Sequence, residues 1–329
     1  MQGDPELQAT LGALASKHTR AVAAAVIDTA TAPETRFAFI GAAADTRFEI
    51  GSVTKPLVGM LLAECVALDE ISLDTNIGAI YPDHPGTEFW AVLVRELSTH
   101  TSGLPRLPRG VLIRAHEVAM GLLARDPYRA STPEQMMRLA ARQSLHTHGA
   151  YCYSNLGAAV LGELLAITAG KEFAPLLHDR ILAPLGMEAT AVGNRNTSAP
   201  GGYSARGRRE QPWLMGAYAP AGAVVSTIAD MSRLAVALLA GTAPGRDSLD
   251  PLIADTGAWH RRSGMFWVID SVPSTGRSMI WHNGQTGGYS AFFALFPEAS
   301  RAVVVLANVA LASEPERIGL GLVKSIAAP

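Results

Sequence analysis

Lys55 follows Ser52 by three residues in the run Phe48-Glu49-Ile50-Gly51-Ser52-Val53-Thr54-Lys55-Pro56. On a helix, residues i and i+3 share a face, so an amine placed there can reach the hydroxyl and take its proton. That leaves an oxygen nucleophile able to capture acyl groups. The amine serves only when neutral, which calls for burial and a nearby positive group or helix N-terminus, both of which disfavour the ammonium. A helix must therefore begin here. Pro56 agrees, because a residue without an N–H is tolerated in a first helical turn. Of the four lysines (Lys17, Lys55, Lys171 and Lys324), Lys55 alone has a serine three residues before it.

Two further stretches could complete such a site. Tyr151-Cys152-Tyr153-Ser154-Asn155-Leu156-Gly157 sets a phenol, Tyr153, two residues before a carboxamide, Asn155. A tyrosine hydroxyl can relay protons, and an asparagine can hold both a lysine amine and a substrate amide. The same pattern also suits a plain helix N-cap beside a packed aromatic. Trp281-His282-Asn283-Gly284-Gln285-Thr286-Gly287-Gly288-Tyr289 runs from the end of one strand candidate to the start of the next. Gly284 lets a ligand approach the strand edge, and the N–H of Gln285 can point at a developing oxyanion. A glycine-rich hairpin would use the same glycines.

The elements that must position these groups follow from periodicity. Residues 5–17 read as a helix, 20–28 and 35–40 as apolar strands, and 52–68 as a helix. From Ile71 to about Pro220 the pattern changes to short helices broken by Pro and Gly, with an apolar helix over 156–169. Thr227-Ile228-Ala229-Asp230 has the form of a capping box ahead of the apolar run 234–240, with Gly241 as the stop. Four strand candidates follow, at 264–270, 277–281, 289–296 and 301–308, joined by turns short enough to make them antiparallel. The last is apolar on both alternating faces over 302–307 and so should be covered on both sides, in part by helices 5–17 and 313–327. The expected class is α/β in the α+β sense: a helix–antiparallel sheet–helix sandwich from residues 1–70 and 222–329, with an all-helical domain, 71–221, inserted between its second and third strands.

The three stretches, in this order, resemble the serine β-lactamase and penicillin-binding-protein superfamily, whose motifs are Ser-x-x-Lys, Tyr-x-Asn and Lys-Thr-Gly or a variant. The nearest resemblance is to its class C branch, with D-alanyl-D-alanine carboxypeptidases and β-lactamase-fold esterases. Leu97-Ser98-Thr99-His100-Thr101-Ser102-Gly103-Leu104-Pro105, Ala183-Pro184-Leu185-Gly186-Met187, residues 221–227 and residues 287–308 look like further segments of that family. The resemblance implies a β-lactamase/transpeptidase-like fold with the site in the cleft between sandwich and helical domain. It makes Ser52 the nucleophile, Lys55 its base, Tyr153 the shuttle to the leaving group, and Asn155 the residue that orients substrate and Lys55. The N–H groups of Ser52 and Gln285 would form the oxyanion hole, with His282 and Gly284 also in the substrate-binding set. Here the sequence departs from the family, since His282-Asn283-Gly284 stands in place of Lys-Thr-Gly. A fixed ammonium, able to bind a substrate carboxylate through a contact worth about 1.5–3 kcal/mol, is replaced by an imidazole largely neutral at pH 7. That argues for an ester or amide donor over a β-lactam.

Composition narrows the field further. The chain has 329 residues, 48% hydrophobic and 17% charged, with a net charge of −2 and 23 scattered arginines, which gives no footprint for nucleic acid. Cys65 and Cys152 cannot make a disulfide framework, and Cys65 reads as helix-core filling. His146-Thr147-His148, with His84, His100 and His116 upstream, has the look of a metal site but reads better as a surface turn, so neither a metal nor any other cofactor is expected. There is no Gly-x-Ser-x-Gly elbow, no phosphate-cradling glycine motif and no apolar run long enough for a membrane span. The opening residues carry no export signal, so a cytoplasmic protein is expected, or a periplasmic or secreted one if a leader has been removed. Three functions remain: a serine esterase or amidase, or acyl transferase, working through acyl-Ser52 on a small-molecule ester, amide or lactam; a β-lactamase or D-alanyl-D-alanine carboxypeptidase; and a catalytically silent ligand binder. Loops 106–126 and 194–215 are expected to line the substrate pockets.

Overall fold

Short turns between apolar strands impose antiparallel pairing. The computed structural model shows such pairing through the whole of its principal sheet, and describes residues 3–15, 19–81, 86–109, 119, 123, 125–193, 200–255, 261–272 and 276–326. The strands are β1 (Val22–Asp28), β2 (Glu34–Ile40), β3 (Arg47–Glu49), β4 (Ala191–Val192), β5 (Tyr203–Ser204), β6 (Val224–Thr227), β7 (Arg262–Ser263), β8 (Val268–Ser271), β9 (Ser278–Gln285), β10 (Ser290–Phe296), β11 (Arg301–Ala307) and β12 (Val309–Ala310). The sheet order is β2-β1-β11-β10-β9-β8-β7, so strands from the two halves of the chain pair inside it, with Val22 opposite Ala307. The longest described helices are α1 (Pro5–Leu14), α2 (Thr54–Ala67), α3 (Asn155–Thr168), α4 (Ile228–Leu239) and α5 (Ser313–Ile326).

β11 shows why two layers of helix are needed. Val303 and Val305 pack on one face with Leu7 and Leu11 of α1 and Ile318 and Leu322 of α5. Val304 and Leu306, on the other face, join the larger core that holds α2, α3 and α4. Each such buried side chain contributes about 1.5–3 kcal/mol. α2 is apolar nearly all round and is buried from Thr54 to Ala63, as a helix without a polar face must be. The sandwich expected from the sequence is thus the observed one, with α1 and α5 as its outer layer; residues 16–17 of the expected first helix lie outside the described residues.

Three readings need correction. The single strand expected at 264–270 is a hairpin, β7 and β8, whose connection carries Phe266 at φ +62°, a turn that no glycine–asparagine signal announced. A second small sheet, β3-β6-β4, runs along the site and was not foreseen. Segment 71–221 is mostly short helices, among them Val94–Ser98 and Pro133–Ala140, but it also contributes β4 and β5 and so is not wholly helical. The capping box at α4 is met by half. Thr227 Oγ1 accepts from Asp230 N–H (3.1 Å), while the Asp230 carboxylate turns away to accept from Ala189 N–H (2.9 Å) and Thr190 Oγ1 (2.8 Å). Gly241 then ends the helix region at φ +71°, as a C-terminal stop requires.

Candidate active site

Ser52 occupies a single 3₁₀ turn, Gly51–Val53, that feeds α2 at Thr54, whereas the spacing predicted a helix starting at Ser52 itself. The Ser52–Lys55 proximity survives the difference, because a 3₁₀ turn also stacks i over i+3. Lys55 Nζ lies 3.0 Å from Ser52 Oγ and 2.6 Å from the carbonyl oxygen of Ala221. The lysine is fully buried. Burial first, and then the Arg106 guanidinium, hold its pKa well below the ordinary lysine range, which favours the neutral amine. Asn155 was expected to hold Lys55; the Ala221 carbonyl does so instead, and Asn155 Oδ1 is buried without a hydrogen-bond partner among the described residues.

Tyr153 donates its O–H to Ser52 Oγ at 2.8 Å, and its ring centre lies 4.9 Å from Lys55 Nζ. Burial pushes the phenol up to about 12, so it keeps its proton at neutral pH. Ser154, between the two motif residues, caps α3: its Oγ accepts from Gly157 N–H (2.8 Å) and donates to the Pro105 carbonyl (2.8 Å). The cap reading of Tyr-x-Asn is met by Ser154, and capping by Ser154 leaves Tyr153 and Asn155 lining the cleft beside Ser52. Behind Tyr153 lies His100, its ring centre 4.6 Å away, accepting from Ser154 N–H through Nδ1 (3.1 Å). Burial, then Lys55 and His282, keep its imidazole neutral.

β9 closes the site. Thr286 N–H donates to the Tyr289 carbonyl across the turn into β10 (2.9 Å), and hydrogen-bond directions alternate along a strand, so Gln285 N–H faces the opposite edge, toward the serine turn. Glycine is needed on both sides of that approach. A Cβ on Gly51, at φ +53°, would meet Gln285 N at 2.6 Å, and one on Gly284 would meet Ile50 O at 1.9 Å and Ser52 N at 3.0 Å. The amides of Ser52 and Gln285 thus come together at one rim, and the Gln285 side chain folds outward to accept from Ala312 N–H (3.1 Å).

His282 lies beneath the cleft rather than on its surface, on the face of β9 that Gly284 shares. It is 4% exposed, with its ring 6.4 Å from that of Tyr153, and it does not line the cleft. Burial and then Lys55 drive its pKa down to about 3, so no cation stands at this position. The next residue, Asn283, does border the cleft, although the strand pairing puts its side chain on the face of Trp281 and Phe292, opposite to that of Gly284. β9 is covered on both sides over much of its length, so alternating polarity could not say which neighbour faces the ligand.

The cleft itself has a volume of about 530 Å³ and is walled by Arg106, Asn155 and Tyr153 on one part of its lining and by Tyr128, Trp213 and Met215 on another. The two loops expected to line it contribute Arg106 and Leu107, and Trp213 and Met215. Trp213 crosses Tyr128 nearly at right angles with ring centres 5.7 Å apart. Its N–H on the main chain is held by the buried carboxylate of Glu49, from β3, at 2.9 Å. Away from the site, His146 and His148 lie in an exposed turn where His148 Nε2 bonds Glu96 Oε1 (2.8 Å); His84 and His116 fall outside the described residues. No group of His, Cys, Asp and Glu able to hold a metal occurs among the described residues. Cys65 is core filling in α2, its thiol pushed up to about 11 by burial, and both cysteines are free. No described helix is long and apolar enough to cross a membrane.

A model of the β-lactamase family matches residues 8–327. The chain belongs to the β-lactamase family. This family member is 28% identical over 228 residues to Putative beta-lactamase-like 1 of Homo sapiens, covering 65% of this chain and 43% of that protein. It is 27% identical over 301 residues to the Unguisins hydrolase ungD' of Aspergillus campestris, covering 82% and 54% respectively. It therefore spans about half the length of these relatives. Among solved structures, the class C β-lactamase of Rhodobacter sphaeroides superposes with a TM-score of 0.81 at 18% identity over 99% of this chain and 100% of that one. A D-stereospecific amidohydrolase from Streptomyces superposes with a TM-score of 0.77 at 19% identity, covering 95% and 96%. The β-lactamase/transpeptidase-like fold implied by the motifs is the fold of this chain.

Proposed function

We propose that this β-lactamase-family protein is a serine hydrolase that cleaves esters or amides through an acyl-Ser52 intermediate. One observation carries the reading: Ser52 Oγ sits between the Tyr153 hydroxyl (2.8 Å) and a fully buried Lys55 amine (3.0 Å). The neutral amine accepts the Ser52 proton through its lone pair as Oγ bonds to the substrate carbonyl carbon. The carbonyl oxygen, now an oxyanion, takes hydrogen bonds from the N–H groups of Ser52 and Gln285. As the intermediate collapses, Tyr153 gives its proton to the departing oxygen or nitrogen and regains one from the Lys55 ammonium. Water then attacks the acyl carbon by the same route in reverse and frees Ser52. Asn155 offers the amide group that orients the substrate.

A neutral, buried His282 stands where the family motif has lysine, so the third motif supplies no cation for a lactam carboxylate and a β-lactam would have to be held by another group. The names of the Unguisins hydrolase and the D-stereospecific amidohydrolase support a hydrolase whose substrates extend beyond lactams. Intact-mass spectrometry after exposure to a fluorophosphonate, a penicillin and a cephalosporin tests the reading. A lasting adduct on Ser52 with the phosphonate, absent from Ser52→Ala, is the expected result. Rapid cephalosporin turnover would favour the β-lactamase instead, and no adduct with any reagent would favour a silent binder.

A further inference from the structure

Among the described side chains lining the cleft, Arg106 is the one permanent cation, and no Asp or Glu accompanies it. Its main chain is pinned, since the Arg106 carbonyl accepts from Asn155 N–H (3.1 Å) and Leu156 N–H (3.2 Å) at the start of α3. Its guanidinium is exposed, lies 5.7 Å from the centre of the Tyr153 ring, and has no ion-pair partner among the described residues. An arginine fixed at the backbone, aimed along a cleft without a counter-charge, is a receptor for a planar anion. We infer that Arg106 binds a carboxylate of the substrate, in the part that departs past Tyr153, and so makes this hydrolase select anionic esters or amides over neutral isosteres. The inference rests on the acyl-Ser52 reading.

The position of Arg106 adds a coupling. Its charge disfavours the Lys55 ammonium, so a carboxylate docked on it cancels that field and makes Lys55 a stronger base in the complex than in the free protein. For an anionic substrate, the acid limb of kcat, which reports the complex, should then lie at higher pH than the acid limb of kcat/KM, which reports the free enzyme. A neutral substrate should show no such separation.

The test compares 4-butyryloxybenzoate, whose leaving group carries a carboxylate, with its methyl ester. Arg106→Gln should cost the anionic ester about ten- to a hundred-fold more in kcat/KM than it costs the neutral one. Arg106→Glu should reverse the preference, and Arg106→Lys should keep part of it. In the wild type, benzoate should protect Ser52 from fluorophosphonate labelling, and in Arg106→Gln it should not; this arm reads binding even where neither ester is turned over. Equal losses on both esters, no wild-type preference, or equal protection in wild type and variant would each overturn the role of Arg106. If the wild type is not labelled at Ser52 at all, the acyl-enzyme reading itself fails, and the two failures are told apart.

Discussion

Replacing Gly284 by alanine puts a methyl group where the backbone of the serine turn already stands. The added Cβ would lie 1.9 Å from Ile50 O, and real Cβ atoms essentially never approach closer than 3.0 Å, so β9 must retreat from the Gly51–Val53 turn by about 1 Å. Gln285 N–H rides on the same strand, one residue on. An oxyanion donor works at 2.7–3.1 Å, so a displacement of about 1 Å removes it from the reaction. Loss of one such donor lowers kcat by about 10²–10³, roughly 2.7–4 kcal/mol of barrier. The assay is the rate of Ser52 acylation by a fluorophosphonate, with hydrolysis of p-nitrophenyl butyrate beside it and a thermal melt to show that the variant is folded. Acylation within threefold of wild type in a folded Gly284→Ala protein would refute the placement of the oxyanion hole at Ser52 and Gln285.

Three further outcomes follow from the same geometry. Tyr153→Phe should slow amides and alkyl esters by about 10²–10⁴ but p-nitrophenyl esters much less, since a good leaving group departs unprotonated; a uniform loss across leaving groups would argue against proton donation by Tyr153. Ser154→Ala removes the cap of α3 and the bond to the Pro105 carbonyl, and should cost about 1–2 kcal/mol in denaturant unfolding, an unchanged midpoint being the contrary result. Burial raises the Glu49 carboxyl from 4.5 to about 7, so the unfolded chain loses that proton at lower pH than the folded one and stability falls as pH rises between those values. Glu49→Gln should lack this decline, worth about 3 kcal/mol, in unfolding measured from pH 4.5 to 8, and parallel curves for the two proteins would contradict it.

The parts of the site that lie within a few residues of one another were legible before any coordinates. Ser52 with Lys55, and Tyr153 with Asn155, announce themselves by spacing, and the paired glycines mark where strand and turn must touch. The inner strands of the sandwich were legible too, because β10 and β11 are apolar runs between clear turns. What could not be read depends on long-range placement. Arg106 is one arginine of 23, and only the fold sets it beside Tyr153. Whether His282 or Asn283 meets the ligand is a question of strand facing that a doubly covered strand hides. The Ala221 carbonyl that holds Lys55 carries no side-chain signature at all.

β1 lies against β11 within the sheet, joining an earlier and a much later segment of the chain. Such distant pairings form slowly, because a long loop must close before any contact repays it. A nascent chain therefore carries Ser52 and Lys55 long before β9 arrives with Gln285. Until then Lys55 lacks the burial that favours its neutral form and the serine turn lacks the Gln285 amide, so on the proposed mechanism the nucleophile stays chemically quiet while that part of the chain is still being made.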